Sequence, residues 1–472
     1  MRRRFRRILL ALGLFGVGTL ASAISFGPVG IPTTMLALAI EKPYPSNPYV
    51  IELDIPAEDE GIGGIVVGFL APKGELIYVV TKPGFIVAAD WIGNVLWRLD
   101  TDVRVTPQSE KNGLPGWNGP GVQIADVDGD EATEVLYLDF AGRLHIVDAR
   151  TGAPKRTLTF PHPDGAEGWE HLVVANFRGE GDRDILLQAT NRDGYRYGRY
   201  LAAYALDAPE TPLWTTDAYK GCAHNGARIA DIDGDGRDEV LGITVFEEDG
   251  TPRVDPGFGK FWHADSLFVD DVRPDLPGLE IVLLEEGGDQ NVWLRNVEGI
   301  LWKANLRRQE PQNAAIGEFD PRTPGLEIWN RTRYNEHQKP FVLDARGNVL
   351  SEYAMDDVAP EGWTARGVEE ISVIDWTGEV KQLAAAKERH ESGDVAIFDP
   401  MTGEFVVHLP EKADRLYVAD VAGDWREELI VLSGNEIHVY QNEARNPRPN
   451  ERRLWTKPHY RRSKMTWNYY SP

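Results

Sequence analysis

Two short stretches carry four carboxylates each at one shared spacing. In 126–134 the acids are Asp126, Asp128, Asp130 and Glu134, at loop positions 1, 3, 5 and 9. In 231–239 they are Asp231, Asp233, Asp235 and Glu239. Alternate residues of a tight loop point at one centre, and Gly129 and Gly234 permit the sharp turn. Hard oxygen ligands in this number suit calcium. A third stretch keeps Asp420, Asp424 and Glu428 but has Ala422 at position 3, which weakens its claim on a metal. A fourth, from Asn176, has Arg178 where an acid belongs and is expected to bind nothing. Such ions are expected to tie the fold together rather than to catalyse.

The loops belong to a repeat. ADVDGDEATEVL (125–136), ADIDGDGRDEVL (230–241) and ADVAGDWREELI (419–430) are its clearest copies. Weaker ones begin at Asn176, Asp271, Glu318 and Asp375, so successive anchors lie 40 to 57 residues apart. A second phrase follows, a strand, a D-x-x-G type turn and another strand, as in 145–158, 341–350 and 396–407. Leu-Trp pairs at Trp97, Trp214, Trp302 and Trp455 close several units. Units of about 45 residues built of short strands and Gly/Asp turns are propeller blades. Counting from 62 gives eight, the first with its acidic loop lost. Seven is the alternative if residues 62–100 are not a blade. The expected fold is therefore an all-β, eight-bladed propeller over 62–472 with calcium-binding loops.

Composition agrees. The chain has 472 residues, 42% of them hydrophobic, enough for a large core and too many for a disordered chain. A formal charge of −24 argues against a nucleic-acid partner, which needs a basic surface. The single cysteine, Cys222, excludes an intrachain disulfide and makes an unconvincing nucleophile. Five arginines, an apolar run from Ile8 to Leu20 and Ala21-Ser22-Ala23 read as a secretory signal over 1–23, with an uncleaved anchor as the alternative. A secreted or periplasmic protein with no stable membrane span after cleavage is expected. The proline-bearing stretch 24–61 reads as a linker. Residues 445–472 hold eight Arg or Lys against one acid, Glu451. They suit either a cationic groove or a ring closure against acidic blades. The chain is expected to act as a monomer.

The acidic loops resemble FG-GAP/VCBS repeats. Over about 120–472 the chain also resembles the propeller of polysaccharide lyase family 11, the rhamnogalacturonan lyases. The carrying segments are 221–240, 262–281, 317–329, 419–432 and 459–472, above all Gly-Asp-Trp-Arg-Glu-Glu and the terminal Tyr-Arg-x-Ser run. The resemblance implies a secreted, calcium-containing propeller acting on an acidic polysaccharide. It departs from the family in three places. Phe268 stands for the second histidine of a His-Gly-Asp-Ala-Leu-His phrase, Gln188 stands for a lysine, and the small N-terminal β domain is replaced by the linker.

A lyase of this kind eliminates across a uronate. Its carboxylate must be neutralised by Ca²⁺ or Arg, and a base must take the C5 proton. His263 with Asp265 is the first candidate pair, placed where the family phrase falls, and His224 is the second. The alternatives are a structural turn for Asp265 and an interior place for His224. Tyr195, Arg196, Tyr197, Arg199 and Tyr200 form a hairpin tip suited to stacking on sugars and pairing with carboxylates. Arg331, Arg333, Tyr334, His337 and Lys339 form a second basic tip. Changes at the two family positions leave a second reading open, a non-catalytic, calcium-dependent carbohydrate-binding or adhesion propeller.

Overall fold

The protein, a computed structural model, is described over residues 44–56, 64–70, 74–104, 122–164, 168–190, 199–221, 226–254, 263–286, 288–305, 310–333, 337–361, 363, 368–388 and 392–465. These residues form eight four-stranded antiparallel sheets. In chain order the blades span 64–100, 123–158, 171–219, 228–254, 263–305, 311–352, 368–409 and 415–440. At seven of the eight junctions the first strands of successive blades contact one another, so the first strands surround the axis of the ring. Among the described residues no helix is long and apolar enough to cross a membrane.

Both faces of each sheet are covered by neighbouring blades, so the inner strands are apolar almost throughout. Glu134–Leu138 and Arg415–Ala419 are buried at every position. The core is accordingly split into eight apolar layers, one in each junction between blades. Val282, Leu284, Val292 and Leu294 of blade 5 meet Ala314, Ile316 and Ile328 of blade 6, for example.

The recurring Leu-Trp pairs and D-x-x-G turns are two halves of one contact. Trp97, on the outer strand of blade 1, lies on Gly152 of blade 2 and donates its Nε1 hydrogen to the Ala149 carbonyl (2.8 Å). A Cβ on Gly152 would come within 2.9 Å of the indole, and its φ of +69° already disfavours a side chain. Trp214 on Gly250 and Trp302 on Gly347 repeat the contact. Trp455 does not. It lies in a 3₁₀ turn, Leu454–Thr456, donates to the Asp420 carbonyl and meets Phe69 edge-on.

Blade 8 takes its outer strand from the other end of the chain. Tyr49–Glu52 pairs antiparallel with Glu436–Tyr440, with Ile51 opposite Ile437. This corrects the expectation of a linker over 24–61, since the propeller recruits 49–52. Local pattern could not show it, because the partner strand lies almost 390 residues away in sequence. Lys82 of blade 1 adds a buried ion pair to Asp414, just ahead of blade 8, at 3.3 Å.

The basic C-terminus closes the ring rather than forming a groove. The helix Pro458–Met465 contacts inner strands of blades 1, 4 and 5. Arg462 donates to Asp182 (2.8 Å) and Asp238 (2.7 Å), and Lys464 meets Glu427 (3.1 Å). The Tyr460 hydroxyl also donates to Glu427 (2.8 Å). At the far end of the helix, Gln123 donates to the Met465 carbonyl (2.7 Å). The helix therefore enters the axis from the acidic loops, and acids from those loops neutralise it.

Candidate functional site

The antiparallel ladder sorts the candidate residues to two ends of the ring. Each acidic loop joins the first strand of a blade to its second, at one end. The connections into a first strand, and those between second and third strands, lie at the opposite end.

At the acidic end the two full loops are built alike. Asp126 accepts from the amides of Gly129 and Glu131, and Asp231 from those of Gly234 and Gly236. The closing glutamates are fully buried, and each caps an amide: Glu134 that of Val127 (3.0 Å), Glu239 that of Ile232 (2.9 Å). This cap recurs at Asp184, Glu280, Glu327 and Glu428, so the closing carboxylate has a structural task whether or not a metal is bound. Oxygens of Asp126, Asp128 and Glu134 lie within 4.8 Å of one another, as do those of Asp231, Asp233 and Glu239. Asp130 and Asp235, the other two acids of the expected ligand sets, are not members of these clusters. Burial pushes the Glu134 carboxyl up to about 7 and that of Glu239 up to about 8. A cation would relieve that cost.

The third loop does not gather its acids. Arg453 holds Asp420 and Arg426 holds Asp424, while Glu428 caps the amides of Val421 and Ala422. Burial raises Asp420 to about 6 even beside Arg453. Of the three acids expected to bind metal here, Asp420 and Asp424 thus face a cation of the chain and Glu428 faces backbone amides. In the loop from Asn176, Arg178 folds back onto Asp184 (2.7 Å), as its position at loop site 3 suggests.

Of the residues proposed for substrate or catalysis, His263, Arg331, Arg333, His337 and Lys339 belong to strand ends and connections at the opposite end. The strand Asp184–Thr190 ends there and Arg199–Ala205 begins there. Tyr195, Arg196 and Tyr197 lie between them, outside the described residues, as does His224 ahead of blade 4. His263 opens the first strand of blade 5 opposite Glu286. Asp265 is fully buried at a bulge between Ala264 and Ser266 of that strand, not in a surface turn. Arg331 is a second correction. It is fully buried in Glu327–Thr332, donating to Gln312 of its own blade (3.0 Å) and to the Val368 carbonyl of blade 7 (3.2 Å). Arg333 pairs with Glu310 and His337 with Asp356, while the Lys339 amide donates to Thr332 (2.9 Å). The two family departures have structural partners. Gln188 accepts from the Ala227 amide (2.7 Å), and Phe268 lies under the Arg228 guanidinium at 5.6 Å.

Sequence reading missed the cations that serve the acidic loops. Lys155 contacts Asp128 (2.8 Å), Asp130 (3.1 Å) and Glu134 (2.7 Å). Arg253 reaches Asp233 (2.9 Å) and shares Glu247. The available signal was a Pro-Lys and a Pro-Arg pair opening the outer strands, Pro154–Leu158 and Pro252–Val254.

The model of the rhamnogalacturonan lyase family 11 C-terminal domain matches residues 173–470, more than half of the chain. The rhamnogalacturonan exolyase YesX of Bacillus subtilis is 26% identical over 344 residues, 66% of this chain and 54% of that protein. The endolyase YesW of the same organism is 26% identical over 305 residues, 59% of this chain and 43% of that protein. The chain thus spans about half the length of these curated relatives. The crystal structure of YesX superposes with a TM-score of 0.65 at 18% identity, covering 90% of this chain and 81% of that one. A Bacillus licheniformis family 11 lyase gives 0.62 at 19%, with the same coverage. These likenesses support the eight-bladed fold, and the matched residues run from blade 3 to the axial helix. The chain belongs to rhamnogalacturonan lyase family 11.

Proposed function

We propose that the chain is an exported polysaccharide lyase that cleaves rhamnogalacturonan or a related uronate polymer by β-elimination, at the end of the propeller opposite its acidic loops. The observation that carries this reading is convergence. The family match covers the segments that hold His224, His263 and the basic stretches 191–200 and 331–339, and the described strands that carry His263 and Arg331 begin or end at one end of the ring. Catalytic groups on strand ends and connections over a rigid scaffold are the usual arrangement.

The chemistry asked of those residues is specific. An arginine or a cation is asked to neutralise the uronate carboxylate and so acidify the C5 proton. The imidazole of His263 takes that proton, and the leaving oxygen takes one back. Calcium, held by Asp231, Asp233 and Glu239, would supply charge compensation that ties two strands of blade 4. The buried, unpartnered Oε1 of Glu239 supports that fit. Export is supported by the N-terminal signal pattern.

A second reading, a calcium-dependent carbohydrate-binding propeller, is favoured by Gln188 and Phe268. Where the family pattern has a lysine and a histidine, these residues serve the junction of blades 3 and 4 and the packing of Arg228. Ultraviolet absorbance separates the two. Mature protein mixed with rhamnogalacturonan is expected to form unsaturated uronate. Saturable binding by the folded protein with no such product would replace the lyase with the binding propeller.

A further inference from the structure

The two full acidic loops differ in what the chain itself puts against them. In most blades the outer strand carries a one-residue bulge opposite the third strand. The extra residue is Leu96 in blade 1, Leu301 in blade 5, Leu350 in blade 6 and Val406 in blade 7. In blade 2 it is Lys155 and in blade 4 it is Arg253. A bulge re-aims the side chain of its extra residue. Apolar bulge residues go with degenerate loops, and the two cationic ones go with the two loops of full acid spacing.

The two cations reach different depths. The Lys155 ammonium touches three carboxylates at once, two of them members of the oxygen cluster Asp126–Asp128–Glu134. It takes the Oε1 of Glu134, the oxygen left over after the amide cap. Its three N–H groups match three acceptors, which fills its donor capacity. Arg253 reaches only Asp233 of its loop, because Glu247 shares its guanidinium. The Oε1 of Glu239 is buried and, among the described residues, has no hydrogen-bond partner. Elsewhere in the ring an internal cation has likewise taken a loop, Arg178 on Asp184 and Arg453 on Asp420.

We infer that Lys155 is a built-in cation that occupies the place of calcium in the loop 126–134, so that this loop takes no metal although its acids match those of the loop 231–239. The inference goes beyond the calcium reading of the second loop, and rests on that reading only for the contrast between the two. A lysine in this place ties the outer strand of blade 2 to its loop with one charge instead of two, and a chelator cannot remove it.

The experiment counts calcium bound per chain, by equilibrium dialysis followed by elemental analysis, for the mature protein and five variants. Lys155→Met is expected to bind one calcium more than the wild type, and Lys155→Met with Asp128→Asn to lose that gain. Lys155→Gln, which keeps a polar group in the bulge, should show the same gain if the methionine form folds poorly. Asp128→Asn alone should leave the wild-type count unchanged. A wild type that loses one calcium on Asp128→Asn, or no gain in either folded Lys155 variant, overturns the inference. Glu239→Gln tests the other loop separately, with a loss of one calcium expected. If that count does not change while Lys155→Met still gains one, the calcium reading of the loop 231–239 fails and the inference stands.

Discussion

The two ends of this ring use the same strands for different ends. At the acidic end the connections are short and rich in Asp and Gly, and several of their carboxylates meet a cation of the chain. Lys155, Arg178, Arg453 and Arg462 each hold one or more loop carboxylates. At the opposite end the first strand of blade 5 begins with His263, and the second strand of blade 6 ends with Arg331 and Thr332. A closed ring needs one end to be locked if the other is to hold side chains for chemistry. The acidic end, with its axial helix, is that lock. Changes there should act on stability, and changes at the opposite end on turnover.

The largest effect should come from the helix. Arg462→Ala leaves Asp182 and Asp238 enclosed without their guanidinium. Breaking a buried pair from one side costs about 3–5 kcal/mol, and denaturant unfolding should show a loss in that range. A change within error would mean that the helix is not part of the lock. Next comes the junction of blades 1 and 2. Gly152→Ala forces a side chain into a positive-φ turn against Trp97, at a cost of roughly 2 kcal/mol in the same assay.

A smaller effect, which also depends on pH, marks the rim of blade 8. His438 lies between Glu411 and Glu436, and its hydrogen bond to Glu411 does most to push it up from its ordinary 6.5 to about 9. A raised histidine stabilises the fold fully below its unfolded value, and the contribution is lost as pH rises through the folded one. His438→Gln should therefore cost about 1 kcal/mol at about pH 6, with the difference closing above pH 9. Thermal unfolding across that range checks the sign. At the bottom of the scale, Arg322 pairs with Asp320 on the surface of a degenerate loop, and Arg322→Ala should not move the unfolding midpoint.

Much of the architecture was legible in the sequence, because propeller blades announce themselves locally. The acidic loops, the D-x-x-G turns and the Leu-Trp pairs pointed to eight units, with seven as the alternative, and the structure, with eight sheets, shows why turn glycine and tryptophan recur together. What escaped is long-range. The strand 49–52 has no local signal that it belongs to blade 8. Lys155 lies 21 residues beyond Glu134, and only the bulge turns it back onto the loop. Arg331 read as part of a basic tip because it precedes Arg333, yet it is the penultimate residue of a fully buried strand. The charge of the C-terminal tail was plain. Its place in the axis was one of two options until the acids facing it were known.

The division of labour between the two ends is tested most directly by one comparison of initial rates. Unsaturated-uronate formation from rhamnogalacturonan should be followed for the wild type, His263→Ala and Glu239→Gln at saturating calcium. His263→Ala is expected to lower the rate by at least about 100-fold without moving the unfolding midpoint. Glu239→Gln should lower the midpoint and leave the rate of the folded fraction close to that of the wild type. A His263→Ala protein that turns over at the wild-type rate would contradict the placement of the chemistry at this end.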